Sequence, residues 1–459
     1  MGYFVYTSDS SRRGFAMVYP DQASRSAQLF ERAQRVLPGG NTRHTVAFEP
    51  YPIYAVRGRG CKIIDADGVE RIDFVNNYSS LIHGHGHPRV VEAVQRQADA
   101  LMAVGQPTES EIALAELLTE RVSSLQQLRF CNSGTEAVMF AIRAARAYTG
   151  KPKIAKVEGA YHGAYDHAET SLDPSPELWG APRPVPVAHS FGTPAGVLSD
   201  VVVLPFNDIE TSRQILDANK DDLAGVLVDA IVGRMAFLEA TPEYLRFLRD
   251  WTRTNGRLLL MDEVLSFRAG YNGVQGKYGI EADITTLAKI IGGGLPVGAF
   301  GGKREIMSVF DHRKGAPKVP HAGTYNGNPL TMVAGRVSME LLTREEIDRI
   351  NGLGDRLREG ITAALKRAGV PGRGVGVGSM VAMMLDDAPF TDYRGFLPAA
   401  AKSVPRAHEI YRRLLDHGVL CVPQGGFFIS TAMDQAIIDN TLAVLGDVLA
   451  GLAAPAASA

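Results

Sequence analysis

Short apolar runs alternate with amphipathic stretches from about Glu109 onward. This pattern is typical of a doubly wound α/β domain with a mostly parallel sheet. Runs rich in β-branched residues and leucine predict strands over residues 128–131, 154–157, 226–229 and 258–261. Between them, the apolar spacing predicts helices over 136–148 and 242–254, closed by Gly150 and Gly256.

The pattern changes on both sides of this region. Residues 54–75 alternate apolar and polar positions between glycine turns, which predicts antiparallel strands. After about Glu345 a helical pattern resumes, and glycine-rich strands are expected near 372–384. We therefore predict an N-terminal segment (1–108), a large domain (109–344) and a C-terminal segment (345–459) that builds a small lobe together with the first.

Residues 173–194 contain six prolines and show little periodicity. A long segment without regular secondary structure is expected to run over the surface, and such segments often carry function. We interpret it as a surface excursion or a lid beside the active site.

Composition excludes several classes of function. Lys and Arg (48) nearly balance Asp and Glu (50), so no basic field for nucleic acid is expected. No uninterrupted apolar stretch has the length of a membrane span, and the start of the chain lacks an export signal. The three cysteines are far apart and form no Cys-x-x-Cys pair. We therefore predict a cytoplasmic protein without a membrane or nucleic-acid partner.

Four separated segments carry the candidate chemistry. The first, residues 132–136, follows a strand and opens a helix, so its backbone N–H groups can bind an anion such as phosphate, with hydroxyls from Ser133 and Thr135. A plain helix cap explains the same residues. The second, 258–264, brings Asp262 to the carboxyl end of a strand, the edge where α/β sheets bind ligands, although a strand-end Asp can also cap a helix.

The third segment places Lys289 among apolar residues and three positions before the run Gly292-Gly293-Gly294. A desolvated lysine loses its proton easily, as an imine-forming amine must, and glycines allow a bulky group to approach the backbone. An ordinary solvated lysine is the alternative. The fourth segment, 321–329, is rich in turn formers and could complete a phosphate site or only connect elements.

These residues resemble the fold type I pyridoxal 5'-phosphate (PLP) enzymes of aminotransferase class III, in the branch of glutamate-1-semialdehyde aminomutase and β-amino acid aminotransferases. The resemblance runs from Pro38-Gly39-Gly40 through GHGHP at 84–88, NSGTEAVMFAIRAARAYTG, GAYHG at 159–163 and DEV at 262–264, to KIIGGGLPVGAFGG and GTYNGNP. It implies a large domain with a mostly parallel seven-stranded sheet, and a small α+β domain formed by the N- and C-terminal segments.

The resemblance also implies individual roles. Lys289 looks like the Schiff-base lysine, and Asp262 like the carboxylate that keeps the cofactor's ring nitrogen protonated. The other implied cofactor contacts are Ser133, Gly134 and Thr135 at the phosphate, Val264 and Tyr161 on the two ring faces, His162 beside the ring, and Thr324, which would reach the phosphate of a neighbouring subunit. A homodimer with active sites at the interface, partly formed by residues 1–108, is therefore expected.

Substrate contacts are expected from three residues. Arg43 matches an arginine that binds the substrate carboxylate in the β-amino acid branch, as a guanidinium can do bidentately, although it could be an ordinary surface arginine. Tyr78 matches an aromatic pocket position or belongs to the core. Gln424 stands where some β-amino acid aminotransferases carry a mobile arginine for dicarboxylate acceptors, so glutamate is expected to bind poorly or differently.

Two further departures from the family concern the pocket. Val228-Asp229-Ala230 stands where relatives usually have Val-Glu-Pro, followed by Ile231-Val232-Gly233 along the expected wall. The chain also lacks the glutamate that semialdehyde aminomutases possess near the turn at 422–426, which counts against that activity. No metal is expected, because His83, His85 and His87 alternate in a glycine-rich loop without a clear tetrahedral set.

The sequence thus predicts a PLP-dependent aminotransferase that moves an amino group between an amino acid, including a β-amino acid, or an amino ketone and a keto acid, passing through pyridoxamine phosphate. The alternative is a glutamate-1-semialdehyde-type 2,1-aminomutase, which needs no separate acceptor. A binding protein that has lost turnover is disfavoured by the intact Lys289 and Asp262. A nucleotide-binding dehydrogenase is disfavoured because no Gly-x-Gly-x-x-Gly follows an early strand.

Overall fold

The computed structural model describes residues 19–313 and 315–453. The first residues, from which we predict the lack of an export signal, lie outside the described part. Strands occupy β1 (Ala55–Arg59), β2 (Lys62–Asp65), β3 (Glu70–Asp73), β4 (Gln127–Cys131), β5 (Lys153–Val157), β6 (Val201–Leu204), β7 (Leu223–Val228), β8 (Ile231–Val232), β9 (Leu238–Glu239), β10 (Leu258–Asp262), β11 (Ile284–Ala288), β12 (Gly298–Gly302), β13 (Arg373–Val377), β14 (Met380–Met384), β15 (Val419–Leu420) and β16 (Gly426–Phe428).

Helices connect and cover these strands. They are α1 (Arg25–Gln34), α2 (Pro88–Ala100), α3 (Glu109–Arg121), α4 (Gly134–Thr149), α5 (Asp166–Glu169), α6 (Ala195–Ser199), α7 (Ile209–Asn219), α8 (Pro242–Thr254), α9 (Gly273–Tyr278), α10 (Arg304–Met307), α11 (Pro329–Leu341), α12 (Arg344–Arg367), α13 (Tyr393–Asp416) and α14 (Gln435–Ala453).

The central sheet has seven strands in the order β4-β12-β11-β10-β7-β5-β6. Its pairs are parallel from β11 to β6, whereas β12 runs antiparallel to both β11 and β4. Every residue of β7, LAGVLV, is buried, as expected for a strand covered on both faces. The predicted α/β class with a mostly parallel seven-stranded sheet is confirmed, and the four strands predicted in this region all form.

The small lobe is built from both ends of the chain. A four-stranded sheet has the order β1-β2-β3-β15, in which Ile72 of β3 pairs with Val419 of β15 in parallel. A second sheet, β13-β14-β16, uses C-terminal residues alone. The antiparallel strands predicted over 54–75 and the strands predicted near 372–384 form. The domain boundaries at 108/109 and 344/345 stay a prediction.

Helix α14 is long and apolar enough to cross a membrane by length and composition, with 28% of the stretch Gln435–Leu452 buried. Its residues Ile438, Leu445 and Leu449 belong to the buried core, and the helix packs against α12 and α13. An amphipathic helix that covers a core meets the same length criterion. This packing accounts for the apolar face of α14 within the fold.

Arg268 ties the central sheet to the small lobe. Its fully buried guanidinium donates to Ser379 Oγ at 3.0 Å, to Ser79 O at 3.3 Å and to Ile429 O. Desolvation lowers the pKa of this arginine to about 9. Because its partners come from the N-terminal segment and from two C-terminal segments, one side chain holds three distant parts of the chain together.

A buried ion pair fixes the N-terminal strands to α13. Arg71 and Asp65 are 3% and 2% exposed, and the guanidinium of Arg71 donates to Asp65 and, at 2.9 Å, to Leu415 O. Asp65 also accepts from the backbone N–H groups of Asp67 and Val69. A buried pair of this kind is costly to break, because the remaining charge has no compensation.

We predict that Arg71→Met lowers the free energy of unfolding by about 3–5 kcal/mol, because Asp65 is left buried and unpaired. The matched control is Lys62→Met, which removes the exposed pair with Glu70 and should cost less than about 1 kcal/mol. Urea denaturation followed by circular dichroism measures both. Equal losses for the two variants would contradict this account of the buried pair.

Candidate active site

The carboxyl ends of three neighbouring strands bring the charged residues of the site together. Asp229 directly follows β7, Asp262 ends β10, and Lys289 directly follows β11. The parallel register pairs Val228 with Met261, so that the two aspartates leave adjacent strands side by side. This is the edge at which ligands bind in α/β sheets.

Asp262 is buried and held by three donors. Its carboxylate contacts His162 Nδ1 at 2.8 Å, and it accepts from Thr286 Oγ1 and Val264 N, both at 3.0 Å. Burial by itself would raise the pKa of Asp262, but the hydrogen bond from His162, the Val264 N–H and the charge of Lys289 together lower it. The carboxylate is therefore ionised.

His162 orients this carboxylate. The imidazole is buried, and desolvation lowers its pKa, so the ring is neutral and donates its Nδ1 proton to Asp262. Its Nε2 is a buried atom without a hydrogen-bond partner among the described residues. The tautomer follows from the need to compensate the negative charge of Asp262.

Lys289 begins a 3-10 turn, Lys289–Gly292, in a left-handed backbone conformation with φ of 50°. Such a conformation is uncommon for a residue with a side chain, and it often marks a functional position. Desolvation lowers the pKa of the Lys289 amine, while the charge of Asp262 opposes that shift. The site thus favours a neutral amine at lower pH than an ordinary lysine allows.

Asp229 is the second buried carboxyl group of the site. It accepts from Ile231 N at 3.0 Å, and both burial and the charge of Asp262 raise its pKa well above the ordinary value. Because two adjacent carboxylates in a dry site cannot both ionise, Asp229 retains its proton. The segment 228–230 therefore places a neutral acid beside the ionised Asp262.

The N-terminus of α4 faces the same edge. Ser133 caps the helix: its Oγ accepts from Glu136 N at 3.1 Å, while Glu136 Oε2 accepts from Asn132 N at 2.8 Å and from Ser133 Oγ at 3.1 Å. This capping box engages the Ser133 hydroxyl. The N–H groups of Gly134 and Thr135 are left without intrahelical acceptors, as in any first helical turn.

The predicted ring contacts lie next to this helix end. A Cβ on Gly134 would lie 3.0 Å from Val264 Cγ1, and one on Gly163 would lie 2.6 Å from Thr135 Cα, so both glycines allow close packing. Thr135 Oγ1 accepts from Ala164 N at 3.1 Å, in the loop that carries Tyr161 and His162. Tyr161 itself is 48% exposed and faces solvent.

The remaining predicted residues lie outside this buried cluster. Arg43 is exposed and donates to Asn77 Oδ1 at 2.8 Å, and the Tyr78 hydroxyl donates to Thr45 O. Gln424 and Thr324 are exposed. Thr286 was missed, although its pairing with Asp262 follows once the strands are aligned in register. The two threonines of the otherwise apolar strand β11, Thr285 and Thr286, are the signal that could have found it.

Two histidines of the glycine-rich loop at 83–87 form hydrogen bonds with other residues of the chain. The two ring nitrogens of His83 contact Thr431 Oγ1 and Ser338 O, both at 2.8 Å, and burial lowers its pKa to about 4. His85 Nε2 contacts Asp73 Oδ2 at 2.8 Å. Among the described residues, no group of three or more His, Cys, Asp or Glu side chains is arranged to hold a metal.

The proline-rich excursion has no helix or strand over 173–194, as predicted. Arg394 of α13 fixes it by donating to Gly180 O and Trp179 O, both at 2.8 Å, while it pairs with the buried Glu158 at 2.8 Å. The excursion is therefore anchored to the small lobe near Trp179.

Comparisons with known proteins agree with this architecture. The family model described as aminotransferase class-III matches residues 45–450. A glutamate-1-semialdehyde 2,1-aminomutase 2 of Exiguobacterium sp. is 39% identical over 430 residues, 92% of this chain and 96% of the relative.

Two solved structures are similar over nearly the whole chain. An omega-transaminase from Sphaerobacter thermophilus has 49% identity and a TM-score of 0.91, covering 94% of this chain and 99% of its own. A β-phenylalanine aminotransferase from Variovorax paradoxus has 32% identity and a TM-score of 0.83, with coverages of 93% and 94%.

We predict that, in cofactor-free protein, Lys289 becomes reactive toward an amine-directed reagent at lower pH than an ordinary lysine, because desolvation lowers its pKa. Reductive methylation with peptide mass spectrometry across a pH series measures this, with the exposed Lys366 as the internal reference. A reactivity midpoint at or above the ordinary lysine value would contradict the assigned direction.

Proposed function

The chain belongs to the class-III aminotransferase family, and from this membership we propose that it is an aminotransferase that takes the amino group of an amino acid, β-amino acids included, and passes it to a keto acid. The observation that carries the proposal is that a desolvated amine, Lys289, and an ionised, buried carboxylate, Asp262, follow or end neighbouring strands at the ligand-binding edge of the sheet.

PLP is the cofactor of this family, and the residues present fit it. We assign its phosphate to the N–H groups of Gly134 and Thr135 and the Thr135 hydroxyl, because Ser133 is engaged by Glu136. Val264 and Tyr161 would take the two ring faces. Because Gly134 has no side chain, Val264 can pack against the helix end that carries these N–H groups.

Bound PLP supplies an electron sink for the charge left when a proton leaves the carbon next to the substrate nitrogen. The protein's part is to keep its own groups in the required protonation states. Asp262, ionised and held by His162, would keep the ring nitrogen protonated, while Asp229 stays neutral and adds no competing charge. The neutral Nζ of Lys289 would carry the substrate proton as general base and then as general acid.

We assign the substrate carboxylate to Arg43. Its guanidinium is exposed and makes one side-chain contact among the described residues, with Asn77, so donors remain for a carboxylate. Tyr78 lies close enough for the charge of Arg43 to affect the pKa of its hydroxyl, which burial raises. We place Tyr78 and the exposed Gln424 on the pocket wall.

We further propose a homodimer whose active sites lie at the interface. Met102, Ile112 and Tyr325 are large apolar side chains exposed by 61%, 56% and 62%. Their segments are neighbours, because Asn328 Nδ2 donates to Met102 O at 3.2 Å. An exposed apolar surface of this kind marks an interface, and the exposed Thr324 beside it would reach the phosphate of the partner's cofactor.

The runner-up is a glutamate-1-semialdehyde-type aminomutase, which returns nitrogen to a neighbouring carbon of the same molecule. It is favoured by the relative of that name that covers nearly the whole chain. The absence of a glutamate near the turn at 422–426 counts against it. We also propose a cytoplasmic location, in keeping with three buried cysteines that form no disulfide.

We predict that the PLP-loaded protein, mixed with α-, β- and ω-amino acids one at a time without an acceptor, converts about one donor per active site and then stops. Added keto acid should restore continuous turnover, because the acceptor must remove the stored nitrogen. Chromatography with mass spectrometry quantifies the products. Steady isomerisation of a donor without any acceptor would instead establish the aminomutase.

We expect Lys289→Ala to lose this turnover by several orders of magnitude and to lose covalent cofactor attachment, which borohydride reduction and intact-mass measurement detect. Lys366→Ala, an exposed lysine of α12, is the matched control and should retain both. Normal activity of Lys289→Ala would refute the proposed role of this residue.

We predict that Arg43→Ala raises KM for β-phenylalanine about tenfold or more, because a charged hydrogen-bond partner of the carboxylate is lost. 1-Phenylethylamine, which is the same donor without a carboxylate, should react equally well with both proteins, and Arg43→Lys should fall between them. Equal effects on the two donors would show that Arg43 supports the fold and does not bind the carboxylate.

A further inference from the structure

Arg234 is an exposed arginine at the wall of the site that the proposed function does not use. It lies in the 3-10 turn Gly233–Met235, directly after β8. A Cβ on Gly233 would lie 2.6 Å from Leu265 Cδ2, next to the ring contact Val264. A Cβ on Gly159 would lie 2.8 Å from Met235 Cε. The turn is therefore wedged between the segment after Asp262 and the loop of Tyr161.

The guanidinium lies on the surface beside these two segments. The turn that carries it contacts Leu265 on one side and approaches Gly159, two residues before Tyr161, on the other. The Arg234 side chain is 52% exposed. Arg234 is thus accessible from solvent on a turn that packs between the segment after Asp262 and the loop before Tyr161.

Arg234 is held by one acidic side chain. Its Nη2 donates to the two carboxylate oxygens of Asp173 at 2.8 and 2.6 Å, and Asp173 is itself 40% exposed. The pair uses only Nη2, so among the described residues Nε and Nη1 have no protein acceptor. That free edge of the guanidinium can take a carboxylate bidentately.

Arg394, which also contacts the excursion 173–194, is a structural arginine with which Arg234 can be compared. Arg394 pairs with the buried Glu158 and donates to two backbone carbonyls of the excursion, so its donors are occupied. Arg234 has instead a single exposed partner, and an exposed ion pair contributes little to stability. Such a pair can exchange its carboxylate for that of a ligand at small cost.

We propose that Arg234 binds the second carboxylate of a dicarboxylic substrate or acceptor, and that Asp173 competes with that carboxylate for the guanidinium. The proposal rests on the proposed function for the first carboxylate, which Arg43 takes. It gives this chain a dicarboxylate-binding residue on the β7–β8 side of the sheet, although Gln424 occupies the position where a mobile arginine serves some relatives.

The test uses the PLP-loaded protein and two unreactive probes of equal chain length, glutarate with two carboxylates and pentanoate with one. Isothermal titration calorimetry measures their dissociation constants. We expect glutarate to bind the unmodified protein more tightly than pentanoate. Arg234→Gln should weaken glutarate binding about tenfold or more, because a charged hydrogen-bond donor is lost, and leave pentanoate unchanged within about twofold.

Asp173→Asn separates this role from a structural one. Removal of the competing negative charge should tighten glutarate binding about two- to fivefold, whereas loss of a purely structural pair would weaken or leave it unchanged. Arg246→Gln, which removes an exposed arginine paired with Glu243 on α8, is the matched control and should change neither affinity. Circular dichroism checks that each variant is folded.

Unchanged glutarate affinity in Arg234→Gln, equal weakening of both probes, or no preference of the unmodified protein for glutarate would each overturn the proposal. Failure of the proposed function is distinguishable, because it appears as absent amino transfer in the donor panel. Glutarate binding does not depend on turnover, so the calorimetric result stands by itself.

Discussion

The buried negative charge of Asp262 is the constraint on which the rest of the site depends. A carboxylate removed from water is stable only when donors compensate it, and here they come from His162, Thr286 and Val264. The donors lie on β11, on the loop after β5 and on the turn after β10. Strand register, histidine tautomer and the loop of Tyr161 must therefore all be correct at once.

The same charge sets the protonation of its neighbours. It raises the pKa of Asp229 in addition to the effect of burial, and it opposes the desolvation that lowers the pKa of Lys289. The result is one ionised acid, one neutral acid and an amine that releases its proton easily, all within one strand-end cluster. Neighbouring groups whose pKa values are shifted in opposite directions are typical of sites that transfer protons.

Much of this arrangement could be predicted from local sequence. Apolar runs located the strands, and apolar flanks with glycines identified Lys289 and Asp262, because a charged residue in such surroundings is unusual. Thr286 could not be predicted in this way, because its contact with Asp262 depends on the strand register, which the local sequence pattern does not specify. The sequence at 132–136 fits both a helix cap and a phosphate site. Only the contact of the Ser133 hydroxyl with Glu136 assigns that hydroxyl to the cap, and the sequence does not report this contact. Arg234 lay outside every motif.

The parallel pairing of Ile72 with Val419 has a consequence for biosynthesis. During synthesis on the ribosome, all strands of the seven-stranded sheet emerge before β15. The edge of β3 therefore has no pairing strand until the C-terminal segment has been synthesised. Contacts this distant in sequence form slowly, and Arg268 can reach Ile429 only after that delay. A nascent chain therefore has the strands that carry Asp262 and Lys289 long before it has a closed small lobe, and an unpaired β3 edge is exposed to association during that interval.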